Sequence, residues 1–153
     1  MVYILISILI IAFDQITKIL TAENFSLGQV KEIIPHVLSF TYVKNEGAAF
    51  GILQGARVFF IILTIVILLL AIFYVIKMRP RSRLEKLSLS FIAGGAVGNF
   101  IDRAIFGFVR DFIMVEFIDF PVFNIADCFV CIGAGLYILY ALLDMLKGKN
   151  SNE

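Results

Sequence analysis

The sequence has no tryptophan, one histidine, two cysteines and three prolines, and only 16% of its residues are charged. Each scarcity excludes something. Two cysteines, Cys128 and Cys131, are too few for a disulfide framework. The single His36 cannot build a histidine metal site. Without tryptophan, an aromatic belt at a membrane surface falls to tyrosine and phenylalanine. The scarcity of charge argues against disorder, a coiled coil and a nucleic-acid binder. No zinc motif, Ser-His-Asp set, phosphate loop or Gly-x-Gly-Asp string occurs, and no internal repeat.

What is present is apolar surface. Hydrophobic residues make up 61% of the 153, with a mean hydropathy of +0.98. A soluble domain is about 45–50% apolar, and a chain this short could not hide the excess from water. The composition therefore predicts one integral membrane domain covering 1–153. Four stretches are long enough to span a bilayer: 2–20, 58–76, 84–106 and 125–143. The first contains Asp14, Gln15 and Lys18 and lacks a basic leader or a clear cleavage site, so it reads as a permanent helix. Its charges are expected to face protein rather than lipid.

Basic residues set the orientation. Lys77, Arg79, Arg81, Arg83 and Lys86 crowd the second inter-span loop, and Lys147 and Lys149 the tail. Both are expected in the cytoplasm, with both termini there. Residues 21–57 and 107–124 then lie outside. Within them, 37–43 reads as a short strand. The apolar stretch 108–123, interrupted by Asp111, Glu116 and Asp119, reads as an interfacial segment.

This topology brings polar groups to one depth. Asp14 and Lys18 share a face in the outer part of span one. Asn99, Asp102 and Arg103 end span three, Asn124 and Asp127 begin span four, and Asp111 lies in the loop between them. Paired carboxylates cannot both ionise easily. One can act as general base and the other, protonated, as acid. Asp102, Asp111, Asp119 and Asp127 are all candidates on these grounds. Asp14 with Lys18 reads as a structural ion pair. Gly94 and Gly98 have the spacing that lets helices pack closely. His36 reads as a surface residue, and the C-x-x-C spacing of Cys128 and Cys131 carries no redox context.

Five segments resemble a known family. They are Asp14-Gln15 with Lys18; Asn45 to Phe50; Gly94 to Arg103; Val109 to Ile113; and Phe123 to Asp127. Together, in order and over nearly the whole chain, they resemble the bacterial lipoprotein signal peptidases, or signal peptidase II. The resemblance implies an aspartic endopeptidase with Asp111 and Asp127 as the catalytic pair. Asn45, Asn99, Arg103, Asn124, Asp14 and Lys18 would support the site or hold substrate. It implies an all-α membrane protein of four transmembrane helices, with a small extracytoplasmic β-cradle and a short outer helix. The substrate would be a diacylglyceryl-modified prolipoprotein in the bacterial cytoplasmic membrane, cut before the lipidated cysteine at the outer surface. No cofactor or metal is expected. Membrane lipid is an expected partner, nucleic acid is not, and the chain is expected to be a monomer. Arg110 stands where the family often has a small apolar residue. Two rival readings are a four-helix proton-coupled transporter using Asp14, and an assembly subunit without chemistry.

Overall fold

The structure, a computed structural model, describes residues 1–47 and 53–150, with side chains to residue 147. Four long helices dominate: α1 (Val2–Asn24), α2 (Arg57–Met78), α3 (Arg83–Ile105) and α4 (Ile125–Asn150). Each predicted span falls on one of them, apart from Phe106, which caps α3. Among the described residues three helices, over Val2–Asn24, Arg57–Met78 and Ile125–Lys147, are long and apolar enough to cross a membrane. The third predicted span is a helix of 23 residues, but its ends carry charge: Arg83, Glu85 and Lys86 at one, Asp102 and Arg103 at the other.

The molecule is built inside out. Its buried apolar residues are Ile10, Val109, Phe112 and Ala126, whereas Asp14, Lys18, Glu85, Asp102, Arg110, Asp111 and Asn124 are also buried. Most large apolar side chains of α1, α2 and α4 point outward, those of α3 are largely half-buried, and α2 buries no residue at all. In water this arrangement would be unstable. In lipid the driving force between helices is close packing and polar contact, which is what the interior offers. α3 is the hub, packed against α1, α2 and α4. Its glycines make the approach possible. Cβ atoms on Gly94 and Gly98 would meet Ile10 and Asp14 of α1, and one on Gly95 would strike the Ala126 carbonyl of α4. The expected close-packing role of Gly94 and Gly98 is therefore met by a specific partner, α1.

Three strands form an antiparallel sheet in the order β1 (Val30–Ile34), β2 (Leu38–Asn45), β3 (Val109–Val115). The strand read at 37–43 is β2, one residue later at its start. The segment 108–123 folds into regular structure over part of its length. Most of its first half is β3, because Asp111 and Glu116 find partners inside the fold instead of interrupting the strand. The expected short outer helix is absent among the described residues. Residues 116–119 form a turn, and Phe123 pairs back on Ile113.

The β2–β3 register shifts once. Phe40 faces Ile113, but Val43 faces Asp111, so β2 carries one extra residue between them. In an unbroken ladder Asn45 would lie on the opposite face from Asp111, because strand faces alternate every residue. The bulge reverses that parity and brings Asn45 to the face of Asp111. A local backbone irregularity thus assembles part of the site.

Candidate active site

Asp111 is the centre of a chain of amides. Its carboxylate accepts from Asn45 Nδ2 at 2.8 Å on one oxygen and from Asn124 Nδ2 at 2.6 Å on the other. Asn124 also donates to Asn99 Oδ1 at 3.1 Å, and Asn99 Nδ2 donates to Asp127 at 2.7 Å. Asn124 and Asp127 further close a reciprocal cap at the start of α4. Each backbone N–H donates to the other's side-chain oxygen at 3.1 Å. This satisfies two backbone donors at a helix start and fixes both side chains. Asp111 and Asp127 are therefore linked through neutral amides.

The nearby charges are arranged differently. Lys18 pairs with Asp14 at 2.8 Å and lies 3.8 Å from Asp102. Arg110 holds both oxygens of Asp102 through Nη2 and Nε at 2.7 and 3.0 Å, and its backbone N–H donates there too. Gln15 bridges Asp14 and Asp102. Asp14 also accepts the Ala126 N–H at 2.9 Å, so a carboxylate of α1 caps the start of α4. Two acids and two cations thus form a closed, neutral set. No buried side-chain polar atom lacks a partner among the described residues.

Lys18 connects the two groups. Its ammonium donates to Asn99 Oδ1 at 2.8 Å. That contact fixes the Asn99 amide with its nitrogen toward Asp127, and the positive charge polarises it as a donor. Arg103 donates to the Gly47 carbonyl at 3.0 Å and lies 4.8 Å over the Phe60 ring. It forms no fork with a side-chain carboxylate among the described residues, although both Asp111 and Asp127 act on it electrostatically.

Asp111 is pushed up to about 7 from 3.8. Burial is the main cause, and the charge of Asp127 adds to it. The Asn45 and Asn124 amides and Lys18 pull the other way but do not prevail.

Of the four carboxylates left open by the residues alone, Asp102 is fully engaged by cations and Asp119 lies exposed in a turn. The structure brings together Asp111, Asp127, Asn45, Asn99 and Asn124, with Lys18 and Asp14 behind them. His36 is exposed at the β1–β2 turn. Cys128 and Cys131 are free, the first half-buried and the second exposed. Sequence reasoning missed Gln15 as a bridge and Arg110 as the main partner of Asp102. A basic residue beside Asp111, in a loop otherwise poor in basic residues, was the available signal for the second. Ala48, Ala49 and Phe50 of the second motif and the Lys149 side chain lie outside the described residues.

With this geometry established, the comparisons are specific. The family described as Signal peptidase (SPase) II matches residues 6–143. The chain belongs to that family. It is 41% identical to the lipoprotein signal peptidase of Enterococcus faecalis, over 99% of this chain and 96% of that one. It is 44% identical to the enzyme of the same name from Brevibacillus brevis, over 96% and 99%. Among solved structures, a bacterial membrane enzyme determined by the in meso method at 2.3 Å superposes with a TM-score of 0.90. The pair is 42% identical, covering 94% of this chain and 89% of that one. The family is one of membrane peptidases. The transporter reading finds no support in these relatives, and Asp14 is already committed to Lys18, Gln15 and the Ala126 N–H.

Proposed function

We propose that this chain is an aspartic endopeptidase, one domain over 1–153, that removes the signal peptide from diacylglyceryl-modified prolipoproteins. It cuts before the lipidated cysteine, and Asp111 and Asp127 form the catalytic pair. One observation carries this reading: these two carboxylates are joined through amides alone, while the buried acids beside them, Asp14 and Asp102, have cationic partners.

Near neutral pH the pair shares one proton, carried mainly by Asp111 because burial raises it. Asp127, as general base, takes a proton from water as the water attacks the scissile carbonyl. Protonated Asp111 hydrogen-bonds the carbonyl oxygen and then protonates the departing amine of the lipidated cysteine. Asn45, Asn99 and Asn124 hold the acids in place. Lys18 and Asp14 anchor Asn99 and the start of α4, and Arg103 fixes the loop at Gly47. No metal or cofactor is called for, and the enzyme works as a monomer.

α3 is the fourth transmembrane helix in this reading. At 1.5 Å per residue its 23 residues extend about 34 Å, enough for a hydrocarbon core of about 30 Å. Its charged groups then lie at the two interfaces. The basic loop between α2 and α3 faces the cytoplasm with both termini, in the bacterial cytoplasmic membrane. The sheet and the dyad face outward as the cradle over a lipid-anchored substrate.

The test is incubation of purified protein with a diacylglyceryl-modified precursor and with the unmodified one. Cleavage of the lipidated form alone is expected, and its loss in Asp111→Asn and in Asp127→Asn. Full activity in either variant would exclude the dyad.

A further inference from the structure

At the opposite end of the helices from the dyad, α1 and α2 stand apart on α3 and leave a groove of about 600 Å³ between them. Its floor is Leu89, Ala93 and Val97 of α3, and its walls include Ile4 of α1 and Ile72 of α2. The groove hydroxyls of Ser7 and Ser90 both donate to backbone carbonyls, so the body of the groove is apolar in character. Arg79 and Lys86 also line it, both at its inner end. The catalytic residues use neither.

Two features identify the occupant. The first is length. From Lys86 to Val97 along α3 is about 16 Å, which is the depth of one leaflet rather than of a whole bilayer. A transmembrane peptide would need about twice that. The second is charge. A signal peptide brings a positively charged segment to the inner surface, where Arg79 and Lys86 would repel it. The same pair attracts a phosphate.

Arg79 is also held in an unusual way. It caps α2 in the left-handed region, at φ 48°, ahead of Pro80. Glycine takes that conformation more readily.

We propose that this groove binds one anionic phospholipid of the cytoplasmic leaflet, its acyl chains along α3 and its phosphate between Arg79 and Lys86. The leaflet follows from the orientation proposed above, but the binding does not depend on it. The bound lipid would fill the space between α1 and α2 and hold α2, which buries no residue of its own.

The full chain in nanodiscs, open on both faces, is tested with phosphatidylglycerol against phosphatidylcholine of the same acyl chains, and retained lipid is counted by native mass spectrometry. Each cation facing an anionic surface is worth about five-fold, so phosphatidylglycerol should be preferred by about twenty-five-fold. Arg79→Gly should reduce the preference about five-fold while relaxing the α2 cap. Arg81→Gln, in the same loop but outside the groove, should leave it unchanged. Ala93→Phe should block retention by filling the floor. Equal retention of the two lipids, or an Arg81→Gln effect as large as that of Arg79→Gly, would overturn the proposal. Displacement of the lipid by a synthetic signal peptide would reassign the groove to substrate. Binding is read without peptidase activity, so failure here and failure of the peptidase reading are separable.

Discussion

Replacing Asp111 by asparagine should make the protein inactive and, above neutral pH, more stable. The fully folded protein holds the Asp111 proton up to about pH 7, whereas the unfolded chain releases it near 3.8. Between these values the folded state binds more protons, so stability falls as pH rises through that window and levels off above 7. A displacement of about three pH units corresponds to about 4 kcal/mol at 1.36 kcal/mol per unit. Asparagine removes that pH dependence. It also introduces a conflict, because its NH2 must face either Asn45 Nδ2 or Asn124 Nδ2, both of which now donate to Asp111. Two facing donors cost about 1–3 kcal/mol. The net gain above pH 7 is therefore about 1–3 kcal/mol, and near pH 4 it becomes a net loss of similar size. Thermal unfolding of both proteins in one detergent, from pH 4.5 to 8.5, measures this. A stability difference that stays constant across the range would refute the raised affinity of Asp111 for its proton.

Other outcomes follow from the same geometry. The rate kcat/KM should fall about tenfold per pH unit above about 7, as the dyad loses its shared proton; a flat alkaline limb in a pH-rate profile would contradict this. Asp102→Asn leaves Arg110 buried without its charge partner and should cost about 3–5 kcal/mol in thermal unfolding, with the Asp102→Leu, Arg110→Met double variant less affected than the single one. Gly98→Ala would place a Cβ 2.6 Å from Asp14 Oδ2, a carboxylate already pinned by Lys18 and Ala126. It should cost about 1–3 kcal/mol in melting experiments, and more than Gly94→Ala, whose Cβ would meet only Ile10 and the Ser7 carbonyl at 3.0 Å or beyond.

Much of this was legible in the residues, for particular reasons. The helices were found because long apolar runs have one reading at this length, and β2 because β-branched and aromatic residues cluster there. The gathering of polar groups at one end of the bundle followed from the alternating direction of successive spans. β1 and β3 were missed because their acidic and basic residues look like loop. Asp111 and Glu116 sit in or beside a strand only because Asn45, Asn124 and Ser39 receive them. The bulge that turns Asn45 toward Asp111 leaves no mark in a sequence, since one extra residue in a strand is visible only against its partner. Arg110 escaped because its partner is eight residues back, across a turn from helix to strand.

Burial alone does not separate the two kinds of acid in this protein. Asp102 is fully buried and Asp111 nearly so. The difference lies in what surrounds them. Asp102 faces Arg110 and Lys18, and its charge is cancelled where it forms. Asp111 faces two amides, which can orient a carboxylate but cannot neutralise it. In a lipid-facing bundle an uncancelled charge is expensive, so a proton becomes the remaining neutralising partner. The closed set of Asp14, Lys18, Asp102 and Arg110 contributes to this, because it commits Lys18 and Arg110 to other acids, while Arg103 donates to the Gly47 carbonyl. Structural ion pairs thereby leave one neighbouring carboxylate dependent on a proton, which is the condition an acid catalyst at neutral pH requires.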